Sequence, residues 1–346
     1  MGGIAVHGKQ IVLGDRDLAD LSDVIRCYAA DTGQVLWEYA YPAPGELDYG
    51  QTPRSTPLIV GDAVIMQGAM GHVTALELAT GRLRWQRDFA VEAPPVKRSE
   101  WGACSSPIPF GDWVIVNPGA KDMSLAALSL KDGAIAWKSP GTAAGHGSFI
   151  LAKLGGVQQL VGFDSESLGG WDPRTGRRLW TLKPTIPGDF NVPTPLPIDG
   201  QLLIATENNG TRRYSFDNAG RIKAQPVAEN QYLAPDMSSL VHSKGRVYCV
   251  WHELFCLDAG TLKQQWSTKH DKLQDYGACF ATDNRLLVVG RGGHLLLLDT
   301  TASQAKLLGE LDVLPDDDAE NYSHPALVGN RLYLRGGKRL VCVALQ

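Results

Sequence analysis

No stretch of 18 or more apolar residues occurs in this 346-residue chain, so no membrane-spanning helix can be drawn from it. It also lacks excess charge of the useful sign for nucleic acid. Its 33 basic residues stand against 37 acidic ones, a formal net charge of −4, which argues against binding by phosphate neutralisation. No P-loop or Gly-x-Gly-x-x-Gly pattern leads from a strand into a helix, and no Cys-x-x-Cys-His haem attachment occurs. Sustained 3.6-residue periodicity is missing as well, so helix is expected to be minor. Disorder is excluded by the ordinary balance of 44% hydrophobic and 20% charged residues. The N-terminus, MGGIAVHGKQIVLG, has no basic segment followed by an apolar one. It enters a strand-like alternation at once, and the expectation is that an upstream segment has been removed or left out of the sequence.

Two residue types are abundant: 38 Gly and 9 Trp. Both surpluses resolve into a repeat. Nearly identical phrases close on tryptophan: RCYAADTGQVLW at Trp37, TALELATGRLRW at Trp85, AALSLKDGAIAW at Trp137, GGWDPRTGRRLW at Trp180 and FCLDAGTLKQQW at Trp266. Degenerate copies, RYSFDNAGRIKA near Ala224 and LLLLDTTASQAKL near Leu307, fill the gaps. Successive copies lie about 41 to 52 residues apart, the spacing of propeller blades. Length alone suggests about two domains; the repeat replaces them with a single domain over 1–346.

A second block precedes each phrase, as in STPLIVGDAVIMQG (55–68), SSPIPFGDWVIVNPG (105–119) and HPALVGNRLYLRG (324–336). It reads as strand A, a Gly-Asp or Gly-Asn type turn that supplies positive φ, and strand B. Strand C and a Thr-Gly turn follow, then strand D with its Trp. Gly33, Gly81, Gly133, Gly176 and Gly220 share one turn position that calls for a left-handed residue, whereas Leu262 stands there in the copy at 258–266. The tryptophans are expected to wedge between neighbouring blades. Strand-A blocks begin near residues 4, 55, 105, 147, 194, 237, 277 and 324. The prediction is an all-β, eight-bladed propeller of four-stranded antiparallel blades, with seven blades the alternative. The last block stops before strand D, so the closing blade is incomplete; an N-terminal segment would be its natural completion.

The A-x-D-x-x-T-G-x-x-x-W phrase resembles the repeat of the PQQ-binding-like propellers, the superfamily of bacterial quinoprotein alcohol dehydrogenases and of the propeller lipoprotein of outer-membrane assembly. The resemblance covers residues 1–346 and implies the propeller fold. In the family's enzymes it also implies a quinone in the central funnel, calcium held by carboxylate and amide oxygens, and an Asp general base. Here the adjacent cysteine pair of many such enzymes is absent, and the chain is shorter. Cys27, Cys256 and Cys342 share one strand-C position, Cys104 and Cys279 match in strand A, and Cys249 lies in a strand B. Equivalent positions on different blades do not reach disulfide distance, so all six read as small buried residues.

A ring of equivalent blades places recurring residues in the scaffold and leaves non-recurring ones for a site. The segments entering strand A face the axial funnel and supply Tyr49, Arg54, Glu100, Trp101, His146, Phe190, Asn191, Asp236, Asp275, Tyr276, Tyr322 and His324. The ligand-binding candidates are Arg54, Glu100, Trp101, His146, Asn191, Asp236, Tyr276 and His324. Glu100, Asn191 and Asp236 are weak candidates for a hard cation such as calcium, and Arg54 for an anion. No catalytic residue can be assigned from spacing. Asp15, Asp17, Asp20 and Asp23 fail EF-hand spacing and read as a solvated hairpin, while Asp316, Asp317, Asp318 and Glu320 read as a solubilising connection. His252-Glu253 reads as part of a strand, and Gly141 to Gly147 as a connector.

The resulting expectation is a non-catalytic, monomeric binding module for a protein, glycan or small molecule. The alternative is a PQQ- and calcium-dependent quinoprotein dehydrogenase acting on an alcohol or sugar. Resemblance to secreted relatives favours a periplasmic or secreted location if a signal has been removed.

Overall fold

The computed structural model describes residues 1–273, 276–301, 303–315 and 322–345. Asp275 and the acidic connection of Asp316, Asp317, Asp318 and Glu320 lie outside the described residues. Eight antiparallel sheets form an eight-bladed β-propeller, seven of four strands and the last of three. Blade one is built from strand A (Ala5–His7), B (Gln10–Arg16), C (Ser22–Ala29) and D (Val35–Pro42). The next six run from Leu58 to Asp88, Ile108 to Ser139, Ile150 to Leu182, Leu196 to Asn230, Val241 to Thr268 and Gly277 to Asp312. Blade eight has only Ala326–Val328, Arg331–Arg335 and Leu340–Ala344. The one α-helix among the described residues, Phe89–Glu92, lies between blades two and three and is capped by the Asp88 side chain.

The tryptophans hold the blades together. Each packs over a small residue of strand C in its own blade: Cys27 pairs with Trp37, Ala75 with Trp85, Ala127 with Trp137, Gly170 with Trp180 and Cys256 with Trp266. The register slips immediately after each of these pairs, a bulge that re-aims the indole out of the sheet. The ring then reaches the next blade. Trp37 Nε1 donates to the Leu78 carbonyl at 2.8 Å, Trp85 to Leu130 at 3.1 Å and Trp137 to Pro173 at 3.1 Å. Trp180 works through a relay: its Nε1 donates to Gln159 Oε1 at 2.6 Å, and Gln159 Nε2 donates to the Gly220 carbonyl at 2.7 Å.

The receiving turn explains the repeated glycine. Gly33, Gly81, Gly133, Gly176 and Gly220 have φ between 70° and 72°. At Gly81 a Cβ would come within 2.6 Å of the Trp37 ring, so this position needs both the left-handed backbone and the missing side chain. Leu262 adopts the same left-handed region at φ 56°, fully buried against its neighbours. Blade five departs from the repeat phase. Its strand D, Ala228–Asn230, starts beyond the Ala224 copy because Pro226 has no N–H for the ladder.

The inner wall is stitched by hydroxyls at equivalent strand-A positions. Thr56 N donates to Ser106 Oγ at 3.0 Å, Ser106 N to Ser148 Oγ at 3.1 Å and Thr194 N to Ser239 Oγ at 3.1 Å. Between blades eight and one, where no D strand intervenes, charge and backbone bonds take over. Arg335, only 5% exposed, reaches the Gly14 carbonyl and Asp15 Oδ1. Arg331 bonds Asp31 at 2.7 Å, Ile4 N donates to the His324 carbonyl, and Ile4, Ile11, Ala30 and Tyr333 form a small core.

The reading of all six cysteines as buried needs one correction. None is disulfide-bonded, and Cys27, Cys249 and Cys256 are buried, with Cys104 and Cys279 partly so; Cys342 is exposed. It occupies the repeat position of Cys27 and Cys256, but no strand D brings a tryptophan over it. The partner turn is equally open, since a Cβ on Gly33 would meet nothing within 4 Å. A second correction concerns His252, which forms the tight turn between strands B and C of blade six at φ 59°, with only Glu253 in the strand.

Two outcomes test this account. Gly81→Ala should destabilise by about 2–4 kcal/mol, adding ring overlap to the left-handed penalty. Gly61→Ala, at φ 57° but with open space around it, should cost only about 1–2 kcal/mol; equal shifts in urea midpoint would remove the wedge explanation. Separately, a thiol reagent should label one cysteine rapidly in the native protein, and Cys342→Ser should abolish that fast phase.

Candidate functional site

In every blade the D-to-A and B-to-C loops emerge on one face and the A-to-B and C-to-D turns on the other. The residues predicted to enter the funnel lie in the D-to-A loops, and six of the described ones form two aromatic arcs. On one side the Trp101 ring stands edge-on to His146 at 5.0 Å and to Phe190 at 5.2 Å, with His146 and Phe190 5.1 Å apart. On the other, Tyr276 meets Tyr322 at 5.5 Å and His324 at 6.3 Å. Arg291 stacks on Tyr322 and bonds its hydroxyl at 3.1 Å.

The polar candidates are largely occupied with the loops themselves. Arg54 Nη2 donates to the carbonyls of Asp48 at 2.6 Å and Gly50 at 2.7 Å, Nη1 to Tyr49 and Nε to Trp101. Its burial lowers the guanidinium pKa, yet the group faces carbonyl oxygens rather than a carboxylate. Asn191, 4% exposed, accepts the His146 N–H at 3.0 Å on Oδ1 and donates through Nδ2 to the Asp164 carbonyl at 3.2 Å. Glu100 is exposed, and its carbonyl accepts the Asp48 N–H. Asp236 is half-buried near Cys249, whose thiol pKa is raised by burial first and then by Cys279 and Asp236. The Tyr276 hydroxyl is buried with no hydrogen-bond partner among the described residues, and burial raises its pKa.

His146 and His324 differ in setting. His146 is half-buried within the aromatic arc. His324 is exposed and stands edge-on to Tyr276. Burial depresses both imidazole pKa values. The aspartates of the first hairpin are engaged as well. Asp15 bonds Arg26 and Arg335, Asp20 bonds Arg16, Asp23 holds Arg16 and the Tyr41 hydroxyl, and Asp17 accepts from Leu21 and Ser22.

Asn191 also lines a cavity of about 300 Å³ between blades four and five, where Arg212 and Asp189 face each other at 3.9 Å. Neither was singled out from the sequence. The available signal was the Arg212–Arg213 pair inside a strand, since an arginine at a buried strand position needs a counter-charge.

The family model for outer membrane protein assembly factor BamB matches residues 3–101 and 23–268. No curated protein matches. Among solved structures, the chain is similar to BamB from Moraxella catarrhalis at TM-score 0.70 and 15% identity, covering 100% of this chain and 94% of that one. It is also similar to the quinohemoprotein alcohol dehydrogenase from Comamonas testosteroni at TM-score 0.67 and 15% identity, covering 98% of this chain and 71% of that one. A computationally designed protein, Ika8, matches at TM-score 0.67 and 13% identity, covering 99% of this chain and 95% of that one. At these identities the structural likeness shows the fold alone.

The two depressed histidines predict a pH response. The folded state disfavours their protonation, whereas the unfolded chain takes up protons near pH 6.5. Their stabilising contribution is therefore full above the unfolded pKa and declines as pH falls toward the folded values. The unfolding midpoint should drop between about pH 7.5 and about 5.5, and a His146→Gln, His324→Gln double variant should show a shallower drop. An unchanged slope in that variant would refute the assignment.

Proposed function

The chain belongs to the PQQ-like propeller family described as outer membrane protein assembly factor BamB, and on that premise we propose a non-catalytic binding module that docks a protein partner through its loop face. The observation that carries this reading is the distribution of exposed apolar side chains. Leu18 and Leu21 in the first B-to-C loop, and Tyr49, Val91, Val96, Ile186 and Tyr232 in D-to-A segments, are all exposed on that face. The A-to-B turns on the opposite face carry Gly8-Lys9, Gly61-Asp62, Gly111-Asp112 and Asp199-Gly200, and of the exposed apolar residues flanking turns there, Val35, Leu36, Leu83, Ile135 and Val328 belong to strands and Val227 to a C-to-D connection. Apolar residues held out on loops by a rigid ring are the composition expected of an interaction surface. An extracytoplasmic, periplasmic setting goes with this reading, because the family description refers to outer membrane protein assembly.

The second reading is a quinone-dependent dehydrogenase, favoured by the likeness to the Comamonas enzyme and by the aromatic arcs. The candidate donor set fits a quinone with calcium poorly. The Asn191 carbonyl oxygen is committed to the His146 N–H, and Arg54 to four backbone carbonyls. Among the described residues no three His, Cys, Asp or Glu side chains gather as cation ligands.

One preparation tests both. Titration with PQQ and Ca²⁺ should give no saturable absorbance change, and dye-linked alcohol oxidation should stay at background. Stoichiometric quinone binding with alcohol-dependent dye reduction would overturn the binding-module reading. In parallel, cross-linking should map partner contacts to the loop face, and Leu18→Glu with Tyr232→Glu should abolish them. Contacts confined to the opposite face would refute the docking surface.

A further inference from the structure

Flanked by Val91 and Val96 of that docking surface, a pocket of about 300 Å³ opens on the same face between blades two and three, and three side-chain polar atoms of its lining residues lack partners among the described residues. Gln67 and Asn117 immediately follow or end the B strands of these blades and are only 2% and 3% exposed. Gln67 Nε2 donates to the Asn117 carbonyl at 3.3 Å, leaving Gln67 Oε1 without a partner. Both Oδ1 and Nδ2 of Asn117 are also without partners among the described residues. A buried polar atom left unbonded is destabilising, so three together are costly for scaffold alone. Met70 and Phe89 add apolar lining. Lys97 and Arg98 stand exposed at the rim, neither with a carboxylate partner among the described residues, and no acidic residue lines the pocket.

We propose that this pocket binds a small polyhydroxy carboxylate. Hydroxyls both donate and accept, so they match two carbonyl oxygens and one amide NH₂ set side by side. The carboxylate lies toward the rim, where Lys97 and Arg98 supply charge-assisted hydrogen bonds. The pocket's size falls at the lower end for small-molecule sites, which suits a sugar acid rather than a polymer.

Calorimetric titration of the full chain with gluconate, and with glucose as its neutral counterpart, tests the assignment at low salt. Gluconate should bind saturably, with glucose at least tenfold weaker. Lys97→Ala with Arg98→Ala should reduce gluconate affinity about tenfold and leave glucose unchanged. Asn117→Leu should abolish binding and raise the unfolding temperature of the ligand-free protein, because it removes unbonded buried polar atoms. No saturable binding of either sugar, equal affinity for both, or retained binding in Asn117→Leu would overturn the proposal. A lowered unfolding temperature of Asn117→Leu, or its failure to fold, would also overturn the proposal, marking Asn117 as a structural residue.

Discussion

Everything in this ring depends on a side chain leaving its own sheet. A four-stranded blade buries little by itself; its stability comes from the flat contact with its neighbours. The indole from strand D supplies that contact, and three demands follow from its size. The residue across from it must be small, hence Cys27, Ala75, Ala127, Gly170 and Cys256. The strand must bulge beside it to turn the ring outward. The neighbouring turn must offer a bare left-handed backbone and an open carbonyl. One tryptophan therefore constrains residues on two blades, and this accounts for a repeat phrase kept so closely within a single chain.

The same constraint explains how much was legible in the sequence. Residues that satisfy a shared geometric demand recur at a fixed spacing, so blade number, strand order, turn chemistry and the missing strand of the last blade all follow from the repeat. Cys342 shows the limit of that inference. Its local sequence matches that of Cys27, but its exposure is set by a strand that is not there. Pro226 shows another limit, because one missing N–H shifts a strand D that the repeat phase places earlier.

Site residues were harder to judge for a different reason. The sequence shows that Arg54 and Asn191 are polar and non-recurring; it does not show whether their hydrogen-bonding capacity is already used. In the folded protein it is used, on Asp48, Tyr49, Gly50 and Trp101 in one case and on His146 and Asp164 in the other. Gln67 and Asn117 present the reverse case. Each sits where an apolar B strand ends and reads as a polar residue closing a core strand, yet its amide is buried with bonds unmade. The distinction between a spent and an unspent polar group is a tertiary property, which is why repeat logic found the scaffold and missed this pocket.

The seam between blades eight and one carries the argument one step further. At five of the other seven interfaces, neighbouring blades are locked by a tryptophan wedge that is indifferent to salt; Ala224 and Leu307 stand at that position in blades five and seven. Here Arg335 and Arg331 hold Asp15 and Asp31, together with the small core around Tyr333. Arg335 is buried and its pKa is lowered by desolvation, so its pair is shielded from screening, whereas Arg331 and Asp31 are exposed and their attraction weakens as salt is raised. A closed ring is as stable as its weakest interface allows, since opening one seam frees both flanking blades to unravel in turn. The loop face between blades two and five lies on the far side of the ring, braced by complete wedges. The D-to-A segments of Val91, Val96 and Ile186 and the unbonded amides of Gln67 and Asn117 draw on that rigid arc, because a surface that recognises a partner must be held in place before the partner arrives.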